Sequence, residues 1–414
     1  MLNMLDTLPD DPLLQIIADF RSDSRSEKMD LGVGVYKDAN GQTPVMDAVK
    51  QAEAILLDTQ DSKSYLGLAG DEAYLDELAK LTFTGDMLAH GIQGKSRLTG
   101  IQTPGASAAL RLASDLIVLM NPDASILVGE PSWSNHIPIF RAAALGALTY
   151  PYYDQATGSL DLDSMLAACS AAAHGTVVLL QGCCHNPTGV DLCVSDWSHI
   201  ADICNSNGLL PLIDIAYNGL GSGFDQDMAG VNALLACVPE ALIAVSCSKS
   251  FGLYRERTGA LYALAADADT ARKTRGNLFA LARTSYSMPP DHGAAIVRTI
   301  LQNPALRALW LKELGDMRAR IDSIRRSLSE ALTARGVVVS GLATDKGMFS
   351  LLPLSRNDID TLRHEDGIYM SEDGRINVAS MQAADVDRFA AAIERVLSTN
   401  RQAPTLMQSS SPPL

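Results

Sequence analysis

The sequence predicts an α/β protein, with a mainly parallel sheet between helices in a large domain and a smaller α+β domain beside it. Two observations carry this expectation. The middle of the chain alternates short apolar runs with amphipathic stretches, the pattern of βαβ units. Its 414 residues also exceed what a single hydrophobic core normally serves, so two domains are expected.

The elements follow from local pattern. Apolar runs at Ser125–Gly129, Thr176–Gln181, Leu209–Ile215 and Leu242–Ser246 predict strands, and Ser195–Asn205 a helix between two of them. In Glu313–Arg335, the residues Leu314, Met317, Ile321, Ile324, Leu328 and Leu332 recur at steps of three and four. That is one buried stripe on a long helix, placed to link two domains. Shorter strand-like pieces follow at Val337–Ser340, Met348–Leu352 and Ile376–Ala379. The expected division is a large domain over residues 45–312 and a small one over 313–400, completed by the N-terminal segment 1–44. The tail 401–414, rich in Ser, Pro and Gln, is expected to be disordered.

Composition narrows the function classes. A net charge of -15 repels phosphate backbones and anionic lipid, which argues against nucleic-acid and membrane-surface roles. No run approaches the roughly 18 apolar residues that a membrane span needs. The start MLNMLDTLPDDPLLQ is acidic and lacks an apolar core of signal-peptide type. Seven cysteines without a framework spacing fit reduced thiols in the cytoplasm. Cys183 and Cys184 precede His185, with Cys193 nearby, yet zinc would need a CxxC-like pair, so no metal is expected.

Four features carry chemistry. Lys249, the sole lysine between Lys95 and Lys273, directly follows a strand, and ligands in open α/β sheets bind beyond the carboxyl ends of strands. Partly desolvated and near other cations, such an amine becomes a nucleophile for carbonyl groups; taken alone, a lysine reads first as a solvated loop residue. Asp214 interrupts the apolar run LLPLIDIAY, and a buried carboxylate needs a cation. That cation is an arginine, a helix N-terminus or a protonated heterocyclic nitrogen, which would act as an electron sink. HNPTG, residues 185–189, is a tight turn at another strand end with Asn186 free to point inward. Finally, QTPGASAALRLASDLIVLM reads as a turn entering a helix. Ser107 lies in the first turn, where exposed N–H groups favour an anion or a plain cap. Ser246 and Arg257, flanking Lys249, have the groups to complete an anion site.

Together these residues resemble a family. SCSKSFGLYRERTGAL (246–261) is similar to the cofactor-lysine segment of class I pyridoxal-phosphate-dependent aminotransferases, in the aspartate and aromatic amino-acid branch. LGVGVYKDANGQTP (31–44), YLGLAG (65–70), IQTPG (101–105), PSWSNH (131–136), GCCHNPTG (182–189), DIAYNG (214–219) and GRINVASM (374–381) agree in the same order. The resemblance runs over roughly residues 4–398 and implies a fold type I architecture with a seven-stranded sheet.

It also implies roles. Lys249 holds pyridoxal 5′-phosphate as a Schiff base and then moves the substrate proton. Asp214 keeps the pyridine nitrogen protonated, with His136 behind it, while Asn186 and Tyr217 bind the phenolic oxygen and Trp133 stacks on the ring. Ser107, beside Ala106, joins Ser246 and Arg257 on the phosphate, with Tyr65 from a neighbouring subunit. Arg375 takes the substrate α-carboxylate as a fork, Gly34 lies beside the substrate, and the neighbour's Arg283 takes a side-chain carboxylate. A homodimer with shared sites is therefore implied. Relatives carry glycines where this chain has Ala106 and Ala108, so a changed grip on phosphate is expected.

Substrate positions point in two directions. Val35, Lys37, Thr43 and Arg283 resemble aspartate-type members, Ser107 the aromatic type, and Ser64 and Met288 neither. The expected reaction moves an amino group between aspartate or glutamate and 2-oxo acids such as 2-oxoglutarate, with ping-pong kinetics. An aromatic or broad-range specificity is the alternative. A β-lyase or decarboxylase would share Lys249 and Asp214 without needing both arginines, and a DNA-binding regulator would add a basic domain, for which this sequence offers neither spare length nor positive charge. Phe224 breaks the dinucleotide fingerprint after Asn218-Gly219-Leu220-Gly221.

Overall fold

The computed structural model describes residues 2–7, 12–83 and 97–402. The tail expected to be disordered lies, from residue 403 onward, outside the described residues.

A seven-stranded sheet forms the centre. Its strands run in the order Leu98–Pro104, Thr258–Leu264, Ala241–Ser246, Leu210–Ile215, Val177–Gln181, Ser125–Glu130 and Gly146–Pro151. Five of them pair in parallel, while Thr258–Leu264 runs antiparallel to both of its neighbours. The four strands expected from apolar runs are present to within a residue or two. Successive residues feed opposite cores: Val177, Leu179, Leu212 and Leu242 pack on one side, and Val178, Leu180, Ile213 and Ile243 on the other. Burial on both faces explains why these strands read as continuous apolar runs.

The long helix spans Pro304–Ala334, nine residues earlier than the stripe alone indicated. Asn303 caps it, its side chain accepting from the amides of Ala305 and Leu306, and Pro304 occupies the first turn, where no amide is required. Leu306 and Trp310 extend the buried stripe. The short strand Met29–Asp30 pairs in parallel with Ile368–Tyr369, which joins the N-terminal segment to the C-terminal region. Phe349–Leu351 pairs antiparallel with Arg375–Asn377.

One expected strand is absent. Val337–Ser340 forms no ladder: Gly336, at φ +73°, ends the long helix, and Val338 is 77% exposed. Three valines in a row satisfy strand propensity, but among the described residues no neighbouring edge pairs with them. The piece expected as Ile376–Ala379 divides into strand Arg375–Asn377 and a 3-10 turn, Val378–Ser380. No described helix is long and apolar enough to cross a membrane.

Candidate active site

Lys249 and Asp214 belong to the carboxyl ends of adjacent parallel strands, Ala241–Ser246 and Leu210–Ile215, paired with Asp214 opposite Ala244. The Lys249 amine lies 4.7 Å from the centroid of the Tyr217 ring. Burial draws its pKa down to about 8, against the pull of Asp214 and with help from the positive charges of Arg257 and Arg375. Loss of hydration thus outweighs the one nearby carboxylate, and the amine is primed as a nucleophile near neutral pH.

Asp214 is only 7% exposed. Its Oδ2 meets His136 Nε2 at 3.0 Å, and His136 Nδ1 meets Ser132 Oγ at 2.8 Å. Its other oxygen, Oδ1, is buried and without a hydrogen-bond partner. A buried carboxylate oxygen left open is costly unless a cationic donor reaches it. Trp133 stands edge-on to His136 with ring centroids 5.1 Å apart.

Asn186 donates from Nδ2 to the Tyr217 hydroxyl at 3.3 Å. Burial pushes the Tyr217 hydroxyl well above the ordinary tyrosine range, partly offset by Arg375. The Asn186 backbone is clamped by Gln181, whose Oε1 accepts from its N–H at 2.9 Å and whose Nε2 donates to its carbonyl at 3.0 Å. Gln181 Nε2 also reaches Ser132 Oγ at 3.5 Å. Gln181 thereby ties the Asn186 turn to the Ser132–His136–Asp214 chain. Sequence reasoning missed both Ser132 and Gln181.

The anion end gathers around Gly105. Pairing of Pro104 with Thr258 and of Ser246 with Gly259 brings the start of helix Gly105–Met120 beside Arg257. A Cβ on Gly105, at φ +76°, would lie 2.6 Å from Arg257 Nη2. Arg257 itself adopts φ +53° and donates to Ser248 Oγ at 3.3 Å. Ser246 Oγ accepts from the Ser248 amide at 3.1 Å. Ser107 and Ala106 lie, partly exposed, in the helix's first turn. The methyl groups of Ala106 and Ala108 follow the tightest approach, which falls on Gly105.

At the opposite end, Arg375 donates from Nη1 to Asn186 Oδ1 at 3.3 Å and from Nη2 to the Gly32 carbonyl at 3.0 Å. The segment carrying Gly34 is held by Asn377, whose Nδ2 donates to the carbonyls of Val33 and Val35 at 2.6 and 2.7 Å. Lys37 pairs with Asp30 at 3.3 Å. Tyr65 is 89% exposed, and Arg283 donates to Ser287 Oγ. Among the described residues, no hydrogen bond or ion pair joins either of them to the Lys249 cluster.

Cys183, Cys184 and Asp227 bring ligand-type atoms within 4.8 Å of one another. Asp227, however, already accepts from the amides of Gly219, Gly221 and Ser222, so it caps a loop. His185 turns aside to Thr188 and stacks on Tyr152 at 4.0 Å, where burial draws its pKa down to about 3.

An activated lysine, an open buried carboxylate oxygen and an anion cradle thus converge beyond the ends of parallel strands. The family model described as aminotransferase class I and II matches residues 26–393. The chain belongs to this family. The aminotransferase is 51% identical to the tyrosine aminotransferase of Rhizobium meliloti, over 94% of this chain and 98% of that protein. It is 40% identical to the aspartate aminotransferase of Salmonella typhi, over 96% of this chain and all of that protein. Its fold matches the crystal structure of the aromatic-amino-acid aminotransferase from Burkholderia pseudomallei covalently bound to pyridoxal phosphate. That match has TM-score 0.92 and 38% identity over 96% of this chain and 99% of that one. The enzyme is a pyridoxal-phosphate-dependent transaminase, and the open Asp214 oxygen and the Gly105–Arg257 cradle suit that cofactor's two ends.

Proposed function

We propose that the aminotransferase acts on aromatic L-amino acids, tyrosine and phenylalanine, with 2-oxoglutarate as acceptor, and that it keeps activity toward aspartate. The observation that carries this preference is the 51% identity to a tyrosine aminotransferase over nearly the whole chain, against 40% to an aspartate aminotransferase. Aspartate, the donor expected from Val35, Lys37, Thr43 and Arg283, is supported as well by relatives named aspartate aminotransferase. Arg283, exposed in the single chain and donating to nearby Ser287 among the described residues, is the group that would serve a dicarboxylate donor.

In this reading Lys249 would hold pyridoxal phosphate covalently, and Asp214, backed by His136, would hold its ring nitrogen. Asn186 and Tyr217 would bind the phenolic oxygen, and Trp133 would pack on the ring. Ser107, Ser246 and Arg257, beside Ala106, would hold the phosphate. When bound, the cofactor supplies an aldehyde carbon for the amino group and a ring that delocalises the electron pair left at the substrate's Cα. Everything else falls to the chain. Arg375 orients the α-carboxylate, so the Cα–H bond presents itself to Lys249 Nζ. With a pKa near neutrality, that amine accepts the Cα proton and can release it again, as general acid–base work requires. The charge of Asp214 opposes deprotonation of whatever cation it faces, which preserves the electron demand. A 2-oxo acid then enters the same site for the second half-reaction, giving ping-pong kinetics.

The unit of function in this proposal is a cytoplasmic homodimer in which Tyr65 and Arg283 serve the partner's site. Seven free cysteines suit a reducing compartment. The proposed division places residues 45–312 in the large domain and 1–44 with 313–400 in the small one. The pairing of Met29–Asp30 with Ile368–Tyr369 supports the grouping of the N-terminal segment with the C-terminal region.

A panel of amino donors with 2-oxoglutarate, ranked by kcat/KM, tests the substrate preference. Tyrosine or phenylalanine should lead aspartate. A preference for aspartate of about tenfold, worth ~1.4 kcal/mol, would reverse it.

A further inference from the structure

Phe349 belongs to none of the roles above, yet it touches three of the residues that carry them. The Arg375 guanidinium carbon lies 4.6 Å from its ring centroid. Tyr217 meets the same ring edge-on, with centroids 5.8 Å apart and planes at 90°. A Cβ built on Gly34 would stand 3.1 Å from Phe349 Cζ. We propose that Phe349 is a positioning residue for substrate binding, its ring face holding Arg375 in the orientation that receives the substrate's carboxylate.

The argument begins with the cost of burying Arg375. Among the described residues no carboxylate pairs with it, its Nε is buried without a hydrogen-bond partner, and its two Nη groups donate only to neutral oxygens. The Asp373 carboxylate favours the charge from nearby, but it accepts from the Arg375 backbone amide and not from the guanidinium, so a group stripped of water in this way gains from further negative potential at its face. The face of an aromatic ring supplies it, and supplies more when the contact is dry. An aliphatic side chain of similar size would fill the space without that attraction.

The ring is also unable to slide. Phe349 is 2% exposed and lies in the strand paired to Arg375–Asn377, opposite Asn377. Its carbonyl accepts from Arg325, which also donates to the Gly347 carbonyl. That same carbonyl would be 2.8 Å from a Cβ on Gly189, the last residue of HNPTG, so the strand is pressed against the turn that presents Asn186. Ring, guanidinium and Asn186 therefore share one rigid setting. Phe349 fixes where the fork points, and Asn186 and Gly32 fix its two ends.

The proposal rests on the reading that Arg375 takes the carboxylate, and the test separates the two. In the holoenzyme, residue 349 is replaced by 3,5-difluorophenylalanine, which keeps the volume and the Cζ–H facing Gly34 while draining electron density from the ring face. Binding of 3-phenylpropionate should weaken about three- to fivefold, with the thermal midpoint unchanged. Phe349→Leu should weaken it about tenfold or more, with KM rising for phenylalanine and aspartate donors alike. If the fluorinated enzyme binds 3-phenylpropionate as the native one does, the ring acts by volume alone and the proposal falls. Arg375→Lys is the control: unchanged affinity there would refute the carboxylate reading itself. Should Phe349→Leu fail to fold, the fluorinated enzyme still decides.

Discussion

Lys249 is pulled two ways: desolvation favours the neutral amine, Asp214 favours the ammonium, and desolvation wins, leaving a pKa of about 8. In cofactor-free protein the rate of pyridoxal phosphate capture should therefore climb as pH rises through about 8 and then level off. Stopped-flow absorbance would follow it, and a midpoint above 10 would mean the amine is solvated. The same shift has a stability sign. The folded chain binds fewer protons at this site than the unfolded chain does, so the penalty is full below pH 8 and is relieved as pH rises toward the ordinary lysine value. Lys249→Met should accordingly stabilise the cofactor-free protein at pH 7, by about 2–3 kcal/mol, measured by denaturant unfolding. Arg283 makes a separate prediction, because in the proposed role only a dicarboxylate would engage it. Arg283→Leu should lower kcat/KM for aspartate about 100-fold or more and leave phenylalanine within a few-fold; equal losses would remove it from side-chain recognition. Lys249 and Asp214 were legible in the sequence because a charge that interrupts or ends an apolar run demands a reason. Ser132, Gln181 and Phe349 were not. Gln181 reads as the polar end of a strand and Phe349 as core, and their significance lies in partners that are distant along the chain.

At the scale of elements, the proposed phosphate cradle turns on one backbone conformation. Gly105 holds φ +76° and leaves no room for a Cβ beside the Arg257 guanidinium. Gly105→Ala adds left-handed strain of about 1–2 kcal/mol and a collision with the group that is to bind the anion. We expect cofactor affinity to fall about tenfold or more, read by equilibrium dialysis, with far-UV circular dichroism unchanged. Wild-type affinity in this variant would mean that the phosphate lies elsewhere. Ala106 and Ala108 depart from the family pattern, whereas the geometry concentrates the constraint one residue before Ala106, at Gly105. Other elements show the same limit of pattern reading. Parallel strands buried on both faces announce themselves as apolar runs, so four of the seven were legible. Leu98–Pro104, with its Gly, Thr and Gln, and the antiparallel Thr258–Leu264 did not stand out, because their place in the sheet is a tertiary fact. Val337–Ser340 failed in the opposite way, having strand composition without a partner edge. The long helix begins ahead of its stripe because Asn303 and Pro304, an N-terminal signature present in the sequence, start it there.

At the scale of the whole molecule, Tyr65 and Arg283 are the residues a single chain leaves unexplained. The family resemblance implies functional roles for both, both are exposed, and no described hydrogen bond or ion pair connects either to Lys249. A dimer resolves this if each chain supplies Lys249 to its own site and Arg283 to its partner's. Loss of Lys249 in one chain and of Arg283 in the other would then be complementary. Neither Lys249→Ala nor Arg283→Leu homodimers should turn over aspartate well. In a hybrid, the site built on the intact Lys249 also receives the intact Arg283 of the other chain, while the second site lacks both. Random reassortment of equal amounts makes half the dimers hybrid, each with one competent site, so aspartate turnover should recover to about a quarter of the native level. Mixing the two variants, allowing subunit exchange under mild denaturant and assaying with 2-oxoglutarate would measure it. If exchange is verified by mass spectrometry and no activity returns, Lys249 and Arg283 act within one chain, and the shared-site dimer is wrong.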